Sequence, residues 1–186
     1  MKYEFYICSF GGCGSWMLAQ YLSRYGDVTH VHSRNPPDIL QRADRQTEHF
    51  TNDFKSPRNV HVIYIYREPV KAMHSVERRH DIKAHCKNIE CPESNVFGMC
   101  LLNEDVFGLE DFFDNYTTSK RRNYNIVCVK YETMELNMSR LNVALGISDN
   151  PQFYPVFKET PVEMPEVKVF DRLRSKMNAM LPVMLI

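Results

Sequence analysis

The sequence has little of what marks a nucleic-acid-binding protein or a membrane protein. Its 23 Lys and Arg residues balance 23 Asp and Glu residues, so the formal net charge of zero favours neither nucleic acid nor an acidic membrane surface as a partner. No apolar run approaches the length of a membrane-spanning helix, and the N-terminus begins with a charged strand instead of a signal peptide. These absences predict a soluble, cytoplasmic protein with no membrane span and no nucleic-acid partner.

Two motifs of common ligand sites are also missing. The six cysteines include no Cys-x-x-Cys pair, so the ligand spacing of a zinc site is absent and we expect no metal. The glycine-rich stretch near the N-terminus lacks the lysine of a Walker A motif and the third glycine of Gly-x-Gly-x-x-Gly. Cys86, Cys91 and Cys100 leave a disulfide open, whereas Cys8 and Cys128 lie in apolar strand patterns and are expected to be buried.

The most informative stretch is a strand, a glycine-rich turn and a helix near the N-terminus. The aromatic, apolar run Phe5–Cys8 predicts a buried strand. After the glycine-rich segment Ser9–Ser15, apolar residues recur at helical spacing over Leu18–Tyr25, and Gly26 is the expected C-terminal cap. Glycines let the backbone approach an anion closely, and the N–H groups at a helix start point towards it. The stretch therefore predicts a phosphate-binding turn.

The rest of the chain alternates predicted strands and helices. Further strands are predicted at Val28–His32, Val60–Tyr66 and Asn125–Tyr131. Helices are predicted at Pro69–Arg79, Leu101–Tyr116, Met134–Leu145 and Val167–Met180. This alternation is typical of an α/β fold with an open, mostly parallel sheet and helices on both faces, a three-layer sandwich like that of P-loop NTPases. We expect one domain over residues 1–186, with a loop or lid at 81–100 and a C-terminal extension with a helix at 151–186.

Three polar motifs follow predicted strands of this sheet. The glycine-rich turn follows the first strand, Arg67 follows the central strand, and Tyr131 and Glu132 follow a later strand. In open α/β sheets, ligands bind beyond the carboxyl ends of the strands. An arginine at a strand end offers a planar fork of donors that matches phosphate bidentately. The sequence therefore predicts that the three motifs meet at one edge of the sheet.

Two further segments resemble a known family when they are taken with the turn. Tyr64–Ser75 (YIYREPVKAMHS) is similar to the corresponding segment of the PAPS-dependent sulfotransferases, where PAPS is 3′-phosphoadenosine 5′-phosphosulfate. Val129–Met134 (VKYETM) is similar to the family's Tyr-Glu-Asp segment. The resemblance covers Phe5–Ile147 in element order. It implies that a sulfuryl group is moved from PAPS to a hydroxyl or amine of a small-molecule, carbohydrate or peptide acceptor, without a metal.

The resemblance also implies which residues bind the donor. In the family, the first turn binds the 5′-phosphosulfate, an Arg and a downstream Ser bind the 3′-phosphate, and a Tyr lies near the adenine. Carried over to this sequence, these are Gly11, Gly12, Cys13, Gly14, Ser15, Trp16, Arg67, Ser75 and Tyr131. Gly12 stands where the family usually has Lys or Arg, and Trp16 stands where it has a second Thr. A lone tryptophan favours packing in the core.

The transfer also needs a base that takes the proton of the acceptor. In the cytosolic branch of the family, this base is a histidine shortly before the strand that ends in the phosphate-binding arginine, which implies His49 here. His32 is the second candidate and His30 the third, because both lie at the end of the second strand and histidine titrates near neutrality. Glu48 stays open, since other branches of the family use a glutamate.

Two other function classes stay open. An ATP-dependent small-molecule kinase shares the strand–turn–helix opening, although the Walker lysine and a clear acidic metal-binding strand end are missing. A non-catalytic nucleotide-binding module is compatible with Gly12 and with the short chain. The family's C-terminal nucleotide segment has no match in Pro151–Ile186. Because the chain is also shorter than the usual family member, we expect the acceptor site to be abbreviated or to be completed by another subunit in a homodimer.

Overall fold

The sheet is built from strands in the order β2-β1-β3-β4-β5. The computed structural model describes residues 3–37, 60–79, 82–92, 103–118, 122, 124–157 and 167–186. The strands are β1 (Tyr3–Ser9), β2 (Gly26–Val31), β3 (Val60–Tyr66), β4 (Ile126–Lys130) and β5 (Val183–Leu185). The first four run parallel, and β5 pairs antiparallel with β4. The prediction of an open, mostly parallel sheet is therefore confirmed.

Helices connect the strands and follow them. They are α1 (Ser15–Leu22), α2 (Pro69–Arg79), α3 (Ile82–Asn88), α4 (Leu109–Thr117), α5 (Tyr131–Met134), α6 (Met138–Leu145) and α7 (Asp171–Ala179). Short 3-10 turns lie at Glu135–Asn137, Pro151–Phe153 and Lys168–Phe170. In the part of the chain that the structure describes, no helix is long and apolar enough to cross a membrane.

Helices pack on both faces of the sheet. On one face, Tyr64 of β3 stacks on Tyr116 of α4, with ring centroids 4.4 Å apart and ring planes 13° from parallel. On the other face, the amide of Asn142 in α6 donates to the hydroxyl of Tyr21 in α1 at 2.8 Å. β3 is buried from Val62 to Tyr66 because both of its faces are covered, which accounts for its continuous apolar sequence. The central strand was predicted with its observed bounds.

Two local predictions are wrong. Gly26 does not cap α1, which ends at Leu22; it is the first residue of β2, where a Cβ atom would overlap the carbonyl oxygen of Tyr3. The predicted loop or lid at 81–100 contains the helix α3, whose His85 and Cys86 are buried against the rest of the fold. Residues 93–100 lie outside the described residues. Helix formation here follows from tertiary burial, which sequence periodicity did not reveal.

The described cysteines are all free thiols. Cys86 and Cys91 are not joined to each other, and Cys100 lies outside the described residues. Cys8 and Cys128 are fully buried in the strands, as their apolar surroundings predict.

One arginine joins two segments that are distant in sequence. Arg34, three residues after β2, donates from Nε to the carbonyl oxygen of Ile89 at 3.0 Å. Its two terminal nitrogens donate to the carbonyl oxygens of Gly108 and Phe107, each at 2.9 Å. The guanidinium therefore holds the chain after α3 and the chain before α4 against the end of β2.

The C-terminal segment is fixed to the centre of the fold by a second arginine. Arg174 in α7 reaches Glu68 with two nitrogens, at 3.1 and 2.8 Å from the same carboxylate oxygen. The other oxygen of Glu68 accepts the N–H of Lys71 at 2.8 Å and so caps the start of α2. Both carboxylate oxygens of Glu68 therefore accept hydrogen bonds from Arg174 or Lys71, and Arg67, the preceding residue, contacts other parts of the chain.

Candidate functional site

The site lies where the order of the strands reverses. From β1 the chain moves to β2 on one side, and β3 then pairs with β1 on the other side. Ligands of open α/β sheets bind in the crevice that forms at such a switch point, beyond the carboxyl ends of the strands. Here the crevice falls between the turn after β1 and Arg67 after β3. The three predicted motifs thus meet at this edge of the sheet.

The turn between β1 and α1 has an unusual backbone. Gly11, Gly12 and Gly14 all have positive φ angles, of 124°, 64° and 70°. Gly14 is the N-cap of α1, and its carbonyl oxygen accepts the N–H groups of Met17 and Leu18 at 3.1 and 3.2 Å. No side chain of the described residues caps this helix start. The first N–H groups of α1 therefore lack an intrahelical acceptor and lie at the turn.

Two of these glycines are also required by close packing. A Cβ atom on Gly12 would overlap the carbonyl oxygen of Ala72 and would lie 3.0 Å from Cβ of Ser75. A Cβ atom on Gly14 would lie 2.6 Å from Cε2 of Tyr131. The turn therefore rests directly on α2 and on the ring of Tyr131. Only glycine combines these close approaches with the left-handed backbone.

Arg67 ties the turn to the end of β4. Its Nη1 donates to the carbonyl oxygen of Gly12 at 2.9 Å, and its guanidinium carbon lies 4.4 Å from the centre of the Tyr131 ring. The side chain is half-buried, and contact of a guanidinium with an aromatic face stabilises such a position. The structure thus brings together Arg67, Tyr131 and the turn, as the sequence predicted.

Ser75 lies on the same side of α2 as Ala72, next to Gly12. The residue is only 5% exposed, and its hydroxyl has no hydrogen-bond partner among the described residues. A buried hydroxyl is normally satisfied by a protein group, a water molecule or a ligand. Ser75 is therefore a donor beside the turn that a bound anion could satisfy.

Cys13 lies inside the turn as a neutral thiol. Its S–H donates to the carbonyl oxygen of Gly11 at 2.9 Å. Burial raises its pKa to about 12, while Arg67 lowers the pKa and Glu132 raises it by smaller amounts. Glu132 accepts the N–H of Glu68 at 2.7 Å, which joins the ends of β3 and β4. Cys13 is therefore a packing residue of the turn with no thiolate character at neutral pH.

A cluster of serine and histidine side chains lies on the β2 side of the turn. Ser15, the first residue of α1, has its Oγ 2.7 Å from Nε2 of His30 and 3.2 Å from Oγ of Ser9. His32 lies behind this pair, and its Nδ1 is 2.9 Å from the carbonyl oxygen of Ser9. The rings of His30 and His32 are 4.5 Å apart. His85, 6% exposed, adds a third ring at 5.4 Å from His32.

The surroundings of His30 disfavour its charged form. Burial lowers its pKa from 6.5 to about 4, and the neighbouring His32 lowers it further in the same direction. Since the unfolded state holds the higher pKa, it binds more protons than the folded state between these values. The stabilising effect of neutral His30 is full above about pH 6.5 and is lost as the pH falls towards 4.

We expect His30→Gln to flatten the loss of stability between pH 7 and pH 5, because glutamine does not titrate there. Urea unfolding at both pH values measures the effect. His61, at the opposite end of the sheet on β3, also has a pKa lowered by burial, so His61→Gln serves as the matched variant. The two effects should add, since the sites are distant. If the stability of His30→Gln depended on pH as that of wild type does, the loss of stability between pH 7 and pH 5 could not be assigned to His30.

The remaining predicted site residues have different outcomes. Trp16 does not pack in the core: it is 63% exposed, because the buried stripe of α1 runs through Leu18 and Leu22. His49 and Glu48 lie outside the described residues, so both stay predictions. His85 was missed by the sequence, although a Cβ atom on Gly11 would lie only 2.6 Å from its ring.

The space behind the turn is small. A cavity of about 20 Å³, lined by aromatic and aliphatic side chains together with Arg67, has room for about one water molecule. Among the described residues, no group of three or more His, Cys, Asp or Glu side chains is arranged to hold a metal ion. The groups at the turn are backbone N–H groups, an arginine and a buried hydroxyl, which are hydrogen-bond donors that an anion could accept from.

Comparisons with known proteins give one similar structure. No family model and no curated protein matches the chain. A crystal structure of mouse sulfotransferase SULT7A1 complexed with PAP is similar, with 17% sequence identity and a TM-score of 0.44. The alignment covers 81% of this chain and 61% of that chain, so this chain spans less than two thirds of its length. This degree of similarity does not place the chain in a family.

Proposed function

We propose that this chain is a PAPS-dependent sulfotransferase. It moves a sulfuryl group from PAPS to a hydroxyl or amine of a small-molecule, carbohydrate or peptide acceptor, without a metal. The observation that carries the proposal is the contact of Arg67 with both Gly12 and Tyr131 at the switch point of the sheet. Arginine, turn and tyrosine are three of the four groups that the sequence resemblance assigns to the donor, and Ser75 is the fourth.

Each group has a proposed part in holding the donor. The N–H groups of the turn and of the first turn of α1 bind the 5′-phosphosulfate, since they lack intrahelical acceptors. Arg67 and Ser75 bind the 3′-phosphate, for which the buried hydroxyl of Ser75 supplies a donor that the described residues leave unused. Tyr131 lies near the adenine.

Arg67 also fixes the backbone of the turn, which carries no cation of its own. Gly12 stands at the position of the family's Lys or Arg, and the guanidinium of Arg67 lies on the carbonyl oxygen of this residue. Charge gathers on the leaving phosphate as the sulfuryl group departs, and donors placed near it lower the barrier. In this proposal, the N–H groups of the turn and of the start of α1 stabilise the leaving 5′-phosphate, and Arg67 holds that turn in position through its hydrogen bond to Gly12.

The base of the reaction is proposed to be His49 or His32. In His32, Nδ1 lies 2.9 Å from the carbonyl oxygen of Ser9 and 3.4 Å from the Ser9 hydroxyl, and since the nearer carbonyl oxygen only accepts, Nδ1 carries the proton. In the neutral ring, Nε2 is then the basic nitrogen, and the hydrogen bond to Ser9 fixes the orientation of the ring. This arrangement suits a base that takes a proton from an acceptor hydroxyl.

A second candidate is a nucleotide-binding module without turnover. Gly12 favours it, because the turn carries no cation of its own. The module would use the same donor-side contacts, so nucleotide binding alone does not separate the two functions. Turnover with an acceptor separates them, because only the sulfotransferase transfers the sulfuryl group.

Calorimetric titration with 3′-phosphoadenosine 5′-phosphate (PAP) and with ATP, each with and without Mg²⁺, tests the donor site. We expect metal-independent binding of PAP and weaker binding of ATP. AMP, which lacks the 3′-phosphate, is the matched ligand. Ser75→Ala should weaken the affinity for PAP by roughly tenfold or more, because a hydrogen bond to a charged group is lost. The affinity for AMP should not change. Preference for Mg²⁺–ATP would replace the proposal with a kinase, and binding of neither nucleotide would overturn it.

A further inference from the structure

Ser15 and His30 form the shortest hydrogen bond of the serine–histidine cluster. Oγ of Ser15 and Nε2 of His30 are 2.7 Å apart, and Ser15 is only 5% exposed. Ser15 begins α1, where the helix is uncapped, while His30 lies on β2, which is parallel to β1. The pair therefore joins the anion-binding end of the helix to a titratable ring on the neighbouring strand.

The neighbouring groups fix the direction of the hydrogen bonds around Ser15. His32 uses its Nδ1–H for the carbonyl oxygen of Ser9 at 2.9 Å. The Ser9 hydroxyl, 3.4 Å from the same protonated nitrogen, cannot donate to it and donates to Oγ of Ser15 at 3.2 Å. Ser15 then has one proton of its own to donate. That proton goes to Nε2 of His30 when Nε2 is unprotonated. It is released to another acceptor when Nε2 carries a proton and donates to Ser15. A neutral ring can do this by moving its proton to Nε2, but beside an anion the charged ring, which has taken up a second proton, is favoured.

We propose that His30 is a positioning residue that determines whether the Ser15 hydroxyl can donate to an anion in the turn, so that anion binding is coupled to proton uptake by His30. The proposal rests on the proposed function in one respect, since it takes the anion to be a phosphate group of the donor. The proton comes from solvent and is held on the imidazole ring while the anion is bound.

The groups that face His30 determine how strongly a bound anion would change its pKa. His32 faces it from the same strand, the Ser9 and Ser15 hydroxyls face it from β1 and α1, and His85 of α3 lies behind His32. The electrostatic partners of His30 in the described part of the chain include no carboxylate. A bound anion would therefore be its first counter-charge there. An opposite charge within about 4–6 Å typically raises a histidine pKa by about 1–3 units, and an anion that accepts from Ser15 would lie one hydrogen bond beyond Nε2 of His30.

The proton count of PAP binding measures the coupling directly. Titrations at pH 6.0 and pH 8.0 in buffers of different ionisation enthalpy give the number of protons taken up. The phosphates of PAP titrate in the same range, so the quantity compared is wild type minus His30→Gln. If the bound anion raises the His30 pKa from about 4 by about two to three units, wild type should take up roughly 0.5 to 0.9 proton in excess of the variant at pH 6.0. Its affinity should then rise roughly twofold to tenfold more than that of the variant between pH 8.0 and pH 6.0.

The variants separate positioning from packing. Glutamine places an amide N–H close to the position of Nε2, so His30→Gln should bind PAP at pH 8.0 at least as well as wild type. His61→Gln removes another half-buried histidine whose pKa is lowered by burial, at the far end of the sheet, and should leave the proton count unchanged. Equal proton counts in wild type and a folded His30→Gln would overturn the proposal while leaving the proposed function in place.

A second readout covers the case in which PAP does not bind, which would end the proposed function. NMR titration of the His30 ring, with and without inorganic sulfate, then tests the coupling alone. A rise in the His30 pKa with sulfate in wild type, reduced in Ser15→Ala, supports the proposal. If the His30 pKa is the same with and without sulfate, at every sulfate concentration up to saturation, the proposal is overturned.

Discussion

Replacing Gly12 by alanine should lower the free energy of unfolding by roughly 2–5 kcal/mol. The left-handed backbone of this residue, with φ of 64°, costs a non-glycine residue about 1–2 kcal/mol. The added methyl would also overlap the carbonyl oxygen of Ala72, and such overpacking against backbone typically costs a further 1–3 kcal/mol or so. Urea unfolding monitored by circular dichroism measures the sum.

Gly146→Ala is the matched control for this change. Gly146 caps α6 with the same φ of 64°, but nothing lies within 4 Å of its missing Cβ. This substitution should therefore show only the backbone cost, about 1–2 kcal/mol. The difference between the two variants isolates the packing of the turn on α2. Equal losses of stability would show that the turn has room to move away from Ala72.

Arg67→Ala should weaken PAP binding by about 2–3 kcal/mol, a factor of roughly 30 to 150 in Kd. The loss has two causes, because the fork that binds phosphate and the hydrogen bond that holds Gly12 disappear together. Arg67→Lys keeps the charge but not the fork and should recover only part of the affinity. Calorimetry with PAP measures all three proteins.

Arg172→Ala controls for the loss of a positive charge. Arg172 lies on α7, where its side chain is 77% exposed and pairs with Glu110 at 2.9 Å, so its removal should leave PAP affinity unchanged. Urea unfolding of Arg67→Ala completes the comparison. An Arg67→Ala protein that is less stable but binds PAP normally would make Arg67 a structural residue of the turn and remove it from the donor site.

The elements that sequence predicted best are those whose residues are buried along their whole length. β3 was predicted from Val60 to Tyr66, because a strand covered on both faces is apolar at every position. The helix after it was also predicted with its observed bounds, since Pro69 is a suitable first residue and Val70, Met73 and Val76 recur on its buried side. Buried residues that recur at the spacing of a strand or a helix can be recognised in a single sequence.

The elements that sequence missed are held by partners far along the chain. β5 has three residues and exists because it pairs with β4, some 55 residues earlier in the numbering. Gly26 was taken for a helix cap because a cap and a strand start use glycine alike, and only the approach of Tyr3 distinguishes them. In α1, however, the spacing of Leu18 and Leu22 already placed Trp16 on the exposed side, so this error was avoidable.

The candidate site also contains residues that the sequence could place and a contact that it could not. Gly12, Arg67 and Tyr131 could be placed at one edge from strand order, because each follows a strand end, whereas Ser75 was assigned only by the family resemblance. The bond between Ser15 and His30 could not be predicted, since it depends on the lateral register of β1 and β2 and on the entry angle of α1. Sequence identified both residues as members of the edge and gave no reason to pair them.

Arg34 has a consequence for how the folded protein opens. One guanidinium holds the carbonyl groups of Ile89, Phe107 and Gly108, which belong to segments on opposite sides of residues 93–102. If the end of β2 moves away, both segments lose their anchor in the same event. In amide hydrogen exchange, the N–H groups of these two segments should therefore share one opening free energy and behave as a single cooperative unit.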